Sequence, residues 1–216
     1  MVTALGAEAP VTARGAAMAT ATDERDALLA RARNGDSTAF AGLVRLHQGM
    51  VFSIALHSLR SRAASEDLAQ EVFLDFYRHL SRIESAAHAV SWLRRVASHR
   101  CIDEIRRRQH RPETPVDVLP ERGLSPLSRE YFLEQRLQAL IATLPSRARM
   151  VVVLRFQEEL EPSEIAETLN MPLNTVKSHL RRSLILLRAR LAEAPPEAGR
   201  DGSAAFARPG RQERQP

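Results

Sequence analysis

Hydrophobic residues in this chain recur at the three- and four-residue spacing of amphipathic helices. The clearest stripe lies in segment 65–80 and consists of Leu68, Val72, Phe73, Phe76, Tyr77 and Leu80. Another stripe follows a turn-forming segment at 34–37, where Asp36 or Ser37 can cap the next helix. A long stripe occupies 91–108. No segment alternates with the period of two that is typical of strands, so the pattern predicts an all-α fold.

Segment 144–191 has a more specific pattern: a helix, a turn, a short helix, a second turn and a long helix. Pro162 is tolerated in the first turn of the short helix, and Asn170 suits a left-handed residue at its end. The long helix is expected to begin at Asn174 or Thr175. One apolar stripe of this helix should face the bundle: Val176, Leu180, Leu184, Leu187 and Leu191. The arrangement predicts a helix-turn-helix.

Prolines divide the two patterned blocks. Segment 109–127 holds four of them, and because proline breaks helices and restricts the residue before it, we interpret this segment as a linker. It separates a helical domain at 23–108 from a helix-turn-helix domain at 128–192. Segments 1–22 and 193–216 show no apolar periodicity and are predicted to be a disordered arm and tail. The fold class is therefore two small helical domains joined by a proline-containing linker.

Composition narrows the classes of function. The formal net charge of +5 favours a polyanionic partner. The lone cysteine, Cys101, permits no intrachain disulfide, which suits a reducing cytoplasm. No apolar run is long enough to cross a membrane, so no membrane insertion is expected. No catalytic motif or metal-ligand spacing stands out, and the sequence predicts neither an enzyme nor a bound metal or cofactor.

The long final helix is the strongest candidate for a DNA-binding element. Segment 171–191 holds five basic residues and no acidic one. Short polar side chains at the start of the helix, followed by arginines, suit contacts with base edges and phosphates in a major groove. The candidate residues are Asn174, Thr175, Lys177, Ser178, Arg181 and Arg182. The alternative is a solvated cationic face on an ordinary bundle helix.

Two further helices carry opposite charges. In the segment EDLAQEVFLDFYR the acidic residues Glu66, Asp67, Glu71 and Asp75 are exposed in the predicted helix, which indicates either a positively charged protein partner or a plain solvated face. In the next helix, segment 94–111 holds seven arginines, a density that suits phosphate contacts. Trp92, near the start of this helix, is expected to be a core residue rather than a base-stacking platform.

The predicted loop His79–Ser91 lies between these two helices and could accept an unstacked base beside the arginines. The candidate residues for contacts with melted DNA are Arg82, Glu84, Ser85 and His88 in the loop, and Arg94, Arg95, His99, Arg106 and Arg107 in the helix. His99 and Cys101 are two residues apart on a helix and share no face, so a metal site there is not expected.

Three motifs together resemble a known family. EDLAQEVFLDFYR, SWLRRVASHRCIDEIRRR and LPSRARMVVVLRF…EIAETLNMPLNTVKSHLRRS occur in the order and spacing of the sigma factors of the extracytoplasmic-function (ECF) group. The resemblance implies that 23–108 is region 2, which binds polymerase and melts the −10 element, and that 128–192 is region 4, which reads the −35 element. It also implies three partners: core RNA polymerase (β and the β′ clamp helices), promoter DNA and an anti-sigma factor. On that resemblance the polymerase-binding residues are Glu66, Asp67, Gln70, Glu71 and Asp75.

Some positions depart from the family pattern. His99 stands where asparagine is usual, and the apolar run Leu184–Leu187 replaces a stretch usually rich in arginine and lysine. The alternative function is a helix-turn-helix regulator that binds DNA without joining polymerase. The acidic and basic helices of the N-terminal block discriminate between the two, because a simple regulator needs neither.

Overall fold

The computed structural model describes residues 23–110 and 129–193. The predicted arm (1–22), almost all of the linker and all of the tail beyond its first residue lie outside these ranges. Within them every regular element is helical, and no strand occurs. The prediction of an all-α protein with two small helical domains is confirmed.

The N-terminal domain consists of four α-helices and one short 3₁₀ turn: α1 (23–33), α2 (Ser37–Leu59), α3 (Arg62–His79), a 3₁₀ turn (Leu80–Arg82) and α4 (Ala86–His110). Asp36 caps α2, because its carboxylate accepts a hydrogen bond from the backbone N–H of Ala39 at 3.0 Å. The Arg31 guanidinium holds the same carboxylate at 2.6 Å. Together these contacts lower the pKa of Asp36, so the cap is ionised at neutral pH.

Helices α2, α3 and α4 pack around one apolar core. Val51, Ile54, Val72, Phe76 and Leu93 lie at its centre and are fully buried. The length and mean hydropathy of α2 would allow it to cross a membrane. Its buried side chains, however, pack against α3 and α4, as expected for the core helix of a globular protein.

The C-terminal domain consists of α5 (Arg129–Ala142), α6 (Ser146–Phe156), α7 (Pro162–Leu169) and α8 (Leu173–Glu193). Pro162 begins α7 as predicted, and Asn170 ends it in the left-handed conformation with φ 49° and ψ 56°. Helix α8 begins at Leu173, one residue before the predicted start. Helices α7 and α8 pack together and form the predicted helix-turn-helix.

Helix α6 lies between the two domains and is buried on nearly every side. Val152 packs with α5 and α8, whereas Met150, Val151 and Leu154 join the cluster formed by the core of the N-terminal domain. Helix α6 contacts both α2 and α4, and α7 contacts α4. The middle of α6, residues 150–154, is apolar on every side and must be covered all round, and in this protein the second cover is the other domain.

One predicted boundary was wrong. The segment His79–Ser91 is not a single loop: the 3₁₀ turn continues α3, and α4 already begins at Ala86. The reason is a cap, since the Ser85 hydroxyl accepts a hydrogen bond from the backbone N–H of His88 at 3.2 Å. The connection between the 3₁₀ turn and α4 is therefore only residues 83–85, and His88 lies in the first turn of the helix.

Candidate functional site

The predicted DNA-binding face of α8 is solvent-exposed. Val176 is fully buried and Leu187 almost so, which turns the opposite side of the helix outward. Thr175 is half-buried, and the other five predicted DNA-binding residues are exposed: Asn174, Lys177, Ser178, Arg181 and Arg182. The structure thus places these five on the free surface of the helix-turn-helix, with Thr175 at its edge.

Every charged residue in segment 174–190 of α8 is basic. In the described part of the chain no carboxylate forms an ion pair with Arg181 or Arg182. Burial, together with the nearby guanidiniums of Arg182 and Arg147, lowers the pKa of His179. Arg147 is exposed in the first turn of α6, and reasoning from the sequence missed it because only the packing of α6 on α8 brings it there. The cationic surface therefore extends from α8 onto α6.

A second candidate surface is an apolar groove between α2 and α3, with a volume of about 690 Å³. Its apolar walls are Phe40, Val44, Phe52, Phe73, Leu74 and Tyr77. Leu74 is 57% exposed and Tyr77 is 59% exposed. Glu66 and Gln70 lie on its α3 side, and Arg62 pairs with Glu66 at 2.9 Å. We call this surface the α2–α3 groove. An exposed concave apolar surface with a polar rim is typical of a protein-binding site.

The remaining acidic residues of α3 face α4 instead. Glu71 and Asp75 both accept hydrogen bonds from the Arg100 guanidinium, and this contact holds the pKa of Asp75 below its ordinary value. Asp67 is exposed and, together with Glu71 and Arg100, lines a depression between α3 and α4. The five predicted polymerase-binding residues are therefore divided between two sides of α3, and two of them pair with Arg100, one of the seven arginines counted in the sequence.

A buried side chain and a hydrogen bond anchor the short connection before α4, residues 83–85. Ile83 is fully buried, and the Asp26 carboxylate accepts a hydrogen bond from the backbone N–H of Ala86 at 2.6 Å. Arg82 and Glu84 are exposed on either side of Ile83. His88 accepts a hydrogen bond from the backbone N–H of Glu84 at 3.3 Å through Nδ1. Of the four predicted residues, Arg82 ends the 3₁₀ turn, Glu84 and Ser85 lie in the connection and His88 lies in α4, with the Ser85 hydroxyl engaged as a helix cap.

The arginines of α4 fall into two groups with different partners. Arg94 forms an ion pair with Glu158 at 3.6 Å, and Arg95 donates a hydrogen bond to the carbonyl oxygen of Glu167 at 3.2 Å. Both partners belong to the C-terminal domain. His99, one turn further along α4, is exposed.

The second group of arginines lies at the end of α4, beside acidic residues of the same helix. Arg107 and Arg108 pair with Glu104 at 2.5 and 2.7 Å, and Arg106 lies 4.0 Å from Asp103. The three arginine side chains are 41% to 71% exposed, whereas the Glu104 side chain that two of them share is 17% exposed.

Trp92 packs against the core of the N-terminal domain, and Cys101 is buried within that core. The Trp92 ring packs against the core, with its centroid 5.7 Å from that of Phe76 and 5.6 Å from that of His79. Burial raises the pKa of the Cys101 thiol to about 12, which makes it unreactive at neutral pH. Across residues 23–110 and 129–193, no group of three or more metal-ligating side chains lies close enough to hold an ion.

Two protein-family models match the chain, and they match its two domains separately. Residues 43–111 match Sigma-70 region 2, and residues 134–187 match Sigma-70 region 4. The first match contains α3, α4 and the α2–α3 groove except Phe40, and the second contains α7 and most of α8. The two regions therefore occur in the order that the motifs predicted.

Sigma factors of similar sequence and fold agree with these family matches. The chain is 29% identical over 174 residues to the ECF RNA polymerase sigma factor SigW of Bacillus subtilis, covering 74% of this chain and 93% of SigW. It is 27% identical to SigK of Mycobacterium tuberculosis, covering 76% and 91%. The fold resembles that of CnrH in its complex with the cytosolic domain of CnrY, with a TM-score of 0.56, 22% identity and coverage of 79% and 99%. The chain belongs to the ECF group of RNA polymerase sigma factors.

Proposed function

We propose that this chain binds core RNA polymerase in the cytoplasm and directs it to promoter DNA for transcription initiation. The observation that carries this proposal is the presence, on one chain, of an apolar protein-docking groove and two cationic surfaces within sigma regions 2 and 4. The test is transcription in vitro: core polymerase plus this chain should produce a transcript that starts at a defined promoter. A chain that binds DNA but never core polymerase would instead be a helix-turn-helix regulator.

We assign polymerase docking to the α2–α3 groove and its rim. Two exposed apolar side chains, Leu74 and Tyr77, offer contact area, and Glu66 and Gln70 lie next to them. In sigma factors this part of region 2 binds the β′ clamp helices, and a helical partner fits a groove with apolar walls and a charged rim. Asp67 lies on the other side of α3, in the depression between α3 and α4. Glu71 and Asp75 contribute indirectly, since their pairing with Arg100 fixes α3 against α4.

We propose that α8 reads the −35 element in the major groove. Asn174 and Ser178 lie where short side chains reach base edges, with Lys177 beside them and Thr175 at the edge of the face. Arg181 and Arg182, one turn further along the helix, are positioned for phosphates. No acidic residue lies within segment 171–191 to oppose them.

Replacing Arg182 by alanine should weaken binding of the polymerase holoenzyme to all promoter variants about equally, by about tenfold, because a phosphate contact carries no sequence information. Ser178→Ala should instead change the preference at one base pair by about 1–3 kcal/mol. Fluorescence anisotropy with a set of −35 variants measures both effects. Arg190→Ala removes the same charge near the end of α8 and serves as the control. If Ser178→Ala and Arg182→Ala both behave like the control, the recognition face is assigned wrongly.

We propose that the connection before α4 holds a base extruded from the −10 element. Arg82, Glu84 and His88 lie near the buried side chain of Ile83 and are available to contact such a base. The two groups of arginines on α4, with His99 between them, follow along the helix and are assigned to the adjacent phosphates. The connection has no aromatic residue, so polar and backbone groups would hold the base. Flipping a base costs a few kcal/mol of stacking, which these contacts must offset.

Alanine at Arg82, Glu84 and His88 together should reduce promoter opening by about tenfold or more while leaving binding to core polymerase unchanged. Ser85 is kept, because its hydroxyl caps α4. Permanganate footprinting of unpaired thymines measures opening, and Ser81→Ala, an exposed neighbour, is the control. Normal opening by the triple variant would overturn the assignment of this connection, even though the chain remained a sigma factor.

A second protein partner, an anti-sigma factor, is also proposed. Support comes from CnrH, whose structure was solved with the cytosolic domain of another protein, CnrY. On this chain Ile185 and Leu186, in the apolar run of α8, are exposed and are available for such a contact. Co-purification of this chain with one specific protein, lost on replacing both residues by serine, would support the proposal.

A further inference from the structure

The basic residues of this chain are chemically almost uniform. Of the 31 lysine and arginine residues in the sequence, Lys177 is the only lysine. Both side chains carry one positive charge, but they differ as nucleophiles. A guanidinium stays protonated in proteins, whereas an amine can lose its proton and then attack an acyl group. Acylation of the lysine and arginine side chains of this sequence is therefore restricted to one position.

That position lies on the DNA-binding face of α8. Lys177 is exposed in the second turn of the helix, and in the part of the chain that the structure describes no carboxylate forms an ion pair with it. Arg181 follows four residues later and is also exposed. Residues with this spacing are neighbours on a helix surface, with about 5–6 Å between their Cβ atoms. The amine is thus open to solvent and stands beside a guanidinium.

We propose that Lys177 is an acylation site, that its acyl donor is an acyl phosphate, and that the modification weakens reading of the −35 element. The proposal rests on the assignment of α8 to promoter DNA. A cationic face that binds the phosphates of DNA also attracts a small phosphate dianion, for the same electrostatic reason. When Arg181 holds the phosphate of the donor, the acyl carbon lies next to the amine of Lys177.

The reaction transfers an acyl group from oxygen to nitrogen. The deprotonated amine attacks the acyl carbon, a bond forms between this carbon and Nζ, and the bond from the carbon to the phosphate oxygen breaks. Phosphate leaves with the electron pair of that bond. Of the two protons that the ammonium group loses, one goes to the phosphate and one to water, and nothing is oxidised or reduced. The product is a neutral amide, so the DNA-binding face loses one positive charge.

The rate of modification tests the role of the neighbouring guanidinium. The full chain is treated with acetyl phosphate, and mass spectrometry follows acetylation of the peptide that contains Lys177. Arg181→Ala should slow this acetylation by about threefold, in line with the loss of one exposed ionic contact. Arg190→Ala removes the same charge at the far end of α8 and should leave the rate unchanged. Equal rates in the two variants, or no acetylation of Lys177 in the wild type, would overturn the proposal.

Promoter binding is measured after the treated chain has been joined to untreated core polymerase. Acetylation should weaken binding to a −35 duplex by about tenfold and lower the slope of log affinity against log salt by about one, as expected when one cation is lost. Lys177→Arg keeps the charge without an amine, so treatment should not change the affinity of this variant from its own untreated value.

Unchanged affinity of the acetylated wild type, or an equal loss in treated Lys177→Arg, would overturn the proposal, because the effect would then not come from Lys177. A promoter-specific transcript from the untreated holoenzyme would leave the proposed function intact in either case. Absence of that transcript would instead contradict the proposed function, and this inference with it.

Discussion

Replacing Arg149 by methionine is expected to lower the free energy of unfolding by about 2–3 kcal/mol. Arg149 is 8% exposed and donates hydrogen bonds to the carbonyl oxygens of Ser58 at 3.0 Å, of Leu144 at 3.4 Å and of Ala142. Two of these carbonyls lie at the C-terminal ends of α2 and α5, where no helical N–H follows to satisfy them. Methionine fills much of the volume but leaves the carbonyls without a donor.

The measurement is thermal unfolding followed by calorimetry. For a folded region of this size, the expected loss corresponds to a decrease in Tm of about 5–10 °C. Arg147→Met is the matched control, since it makes the same change on the same helix at an exposed position and should change stability by less than about 0.5 kcal/mol. Equal Tm values for the two variants would show that the Arg149 hydrogen bonds add nothing to stability.

Burial lowers the pKa of Arg149, and the nearby charge of Arg60 lowers it further. A buried cation without a carboxylate partner is costly by itself, and removing such a group is sometimes neutral when its surroundings are apolar. The surroundings here are three carbonyl oxygens, which is why we expect a loss. Arg149→Lys, which keeps the charge but cannot reach three separated acceptors with a planar fork, should give an intermediate Tm.

The double substitution Gln70→Ala and Leu74→Ser should weaken binding to core RNA polymerase by about 100-fold. Leu74 projects from α3 into the α2–α3 groove with more than half of its surface exposed, and Gln70 lies one turn before it. Burying one apolar anchor and one hydrogen bond at the centre of an interface is worth about 2–3 kcal/mol, which corresponds to this loss. Neither side chain belongs to the core, so the variant should remain folded.

Leu46→Ser provides the control for this prediction. Leu46 is 43% exposed on α2 and lies outside the α2–α3 groove, near Leu28 and Gly42. Binding measured by fluorescence anisotropy or biolayer interferometry should stay within about twofold of wild type for the control. If the double variant binds core polymerase as tightly as Leu46→Ser, polymerase docks elsewhere, and the depression between α3 and α4 around Asp67 becomes the next surface to test.

Local features of the fold were predictable from local residues. The start of α7 at Pro162 and the left-handed Asn170 depend on the backbone preferences of a few neighbouring residues. So does the cap of α2, for which the sequence left Asp36 and Ser37 as alternatives. The buried stripe of α8 followed from its spacing for the same reason. The start of α4 was missed because Ser85 is followed by alanines, whose weak apolar signal does not reveal a helix face.

Partners distant in sequence were decided only by the packing of the helices. The acidic residues of α3 looked like one free surface, yet Glu71 and Asp75 both pair with Arg100, which lies 29 residues after Glu71. Arg149 finds the Ser58 carbonyl 91 residues earlier in the chain. The periodicity of a sequence shows which side of a helix is apolar, but not what lies against the polar side. A charged residue therefore appears in the same sequence pattern whether water or a second domain covers it. The sequence by itself therefore determined the helices, their family and the residue types of each surface, whereas the tertiary structure decided which of those charges remain available to polymerase and DNA.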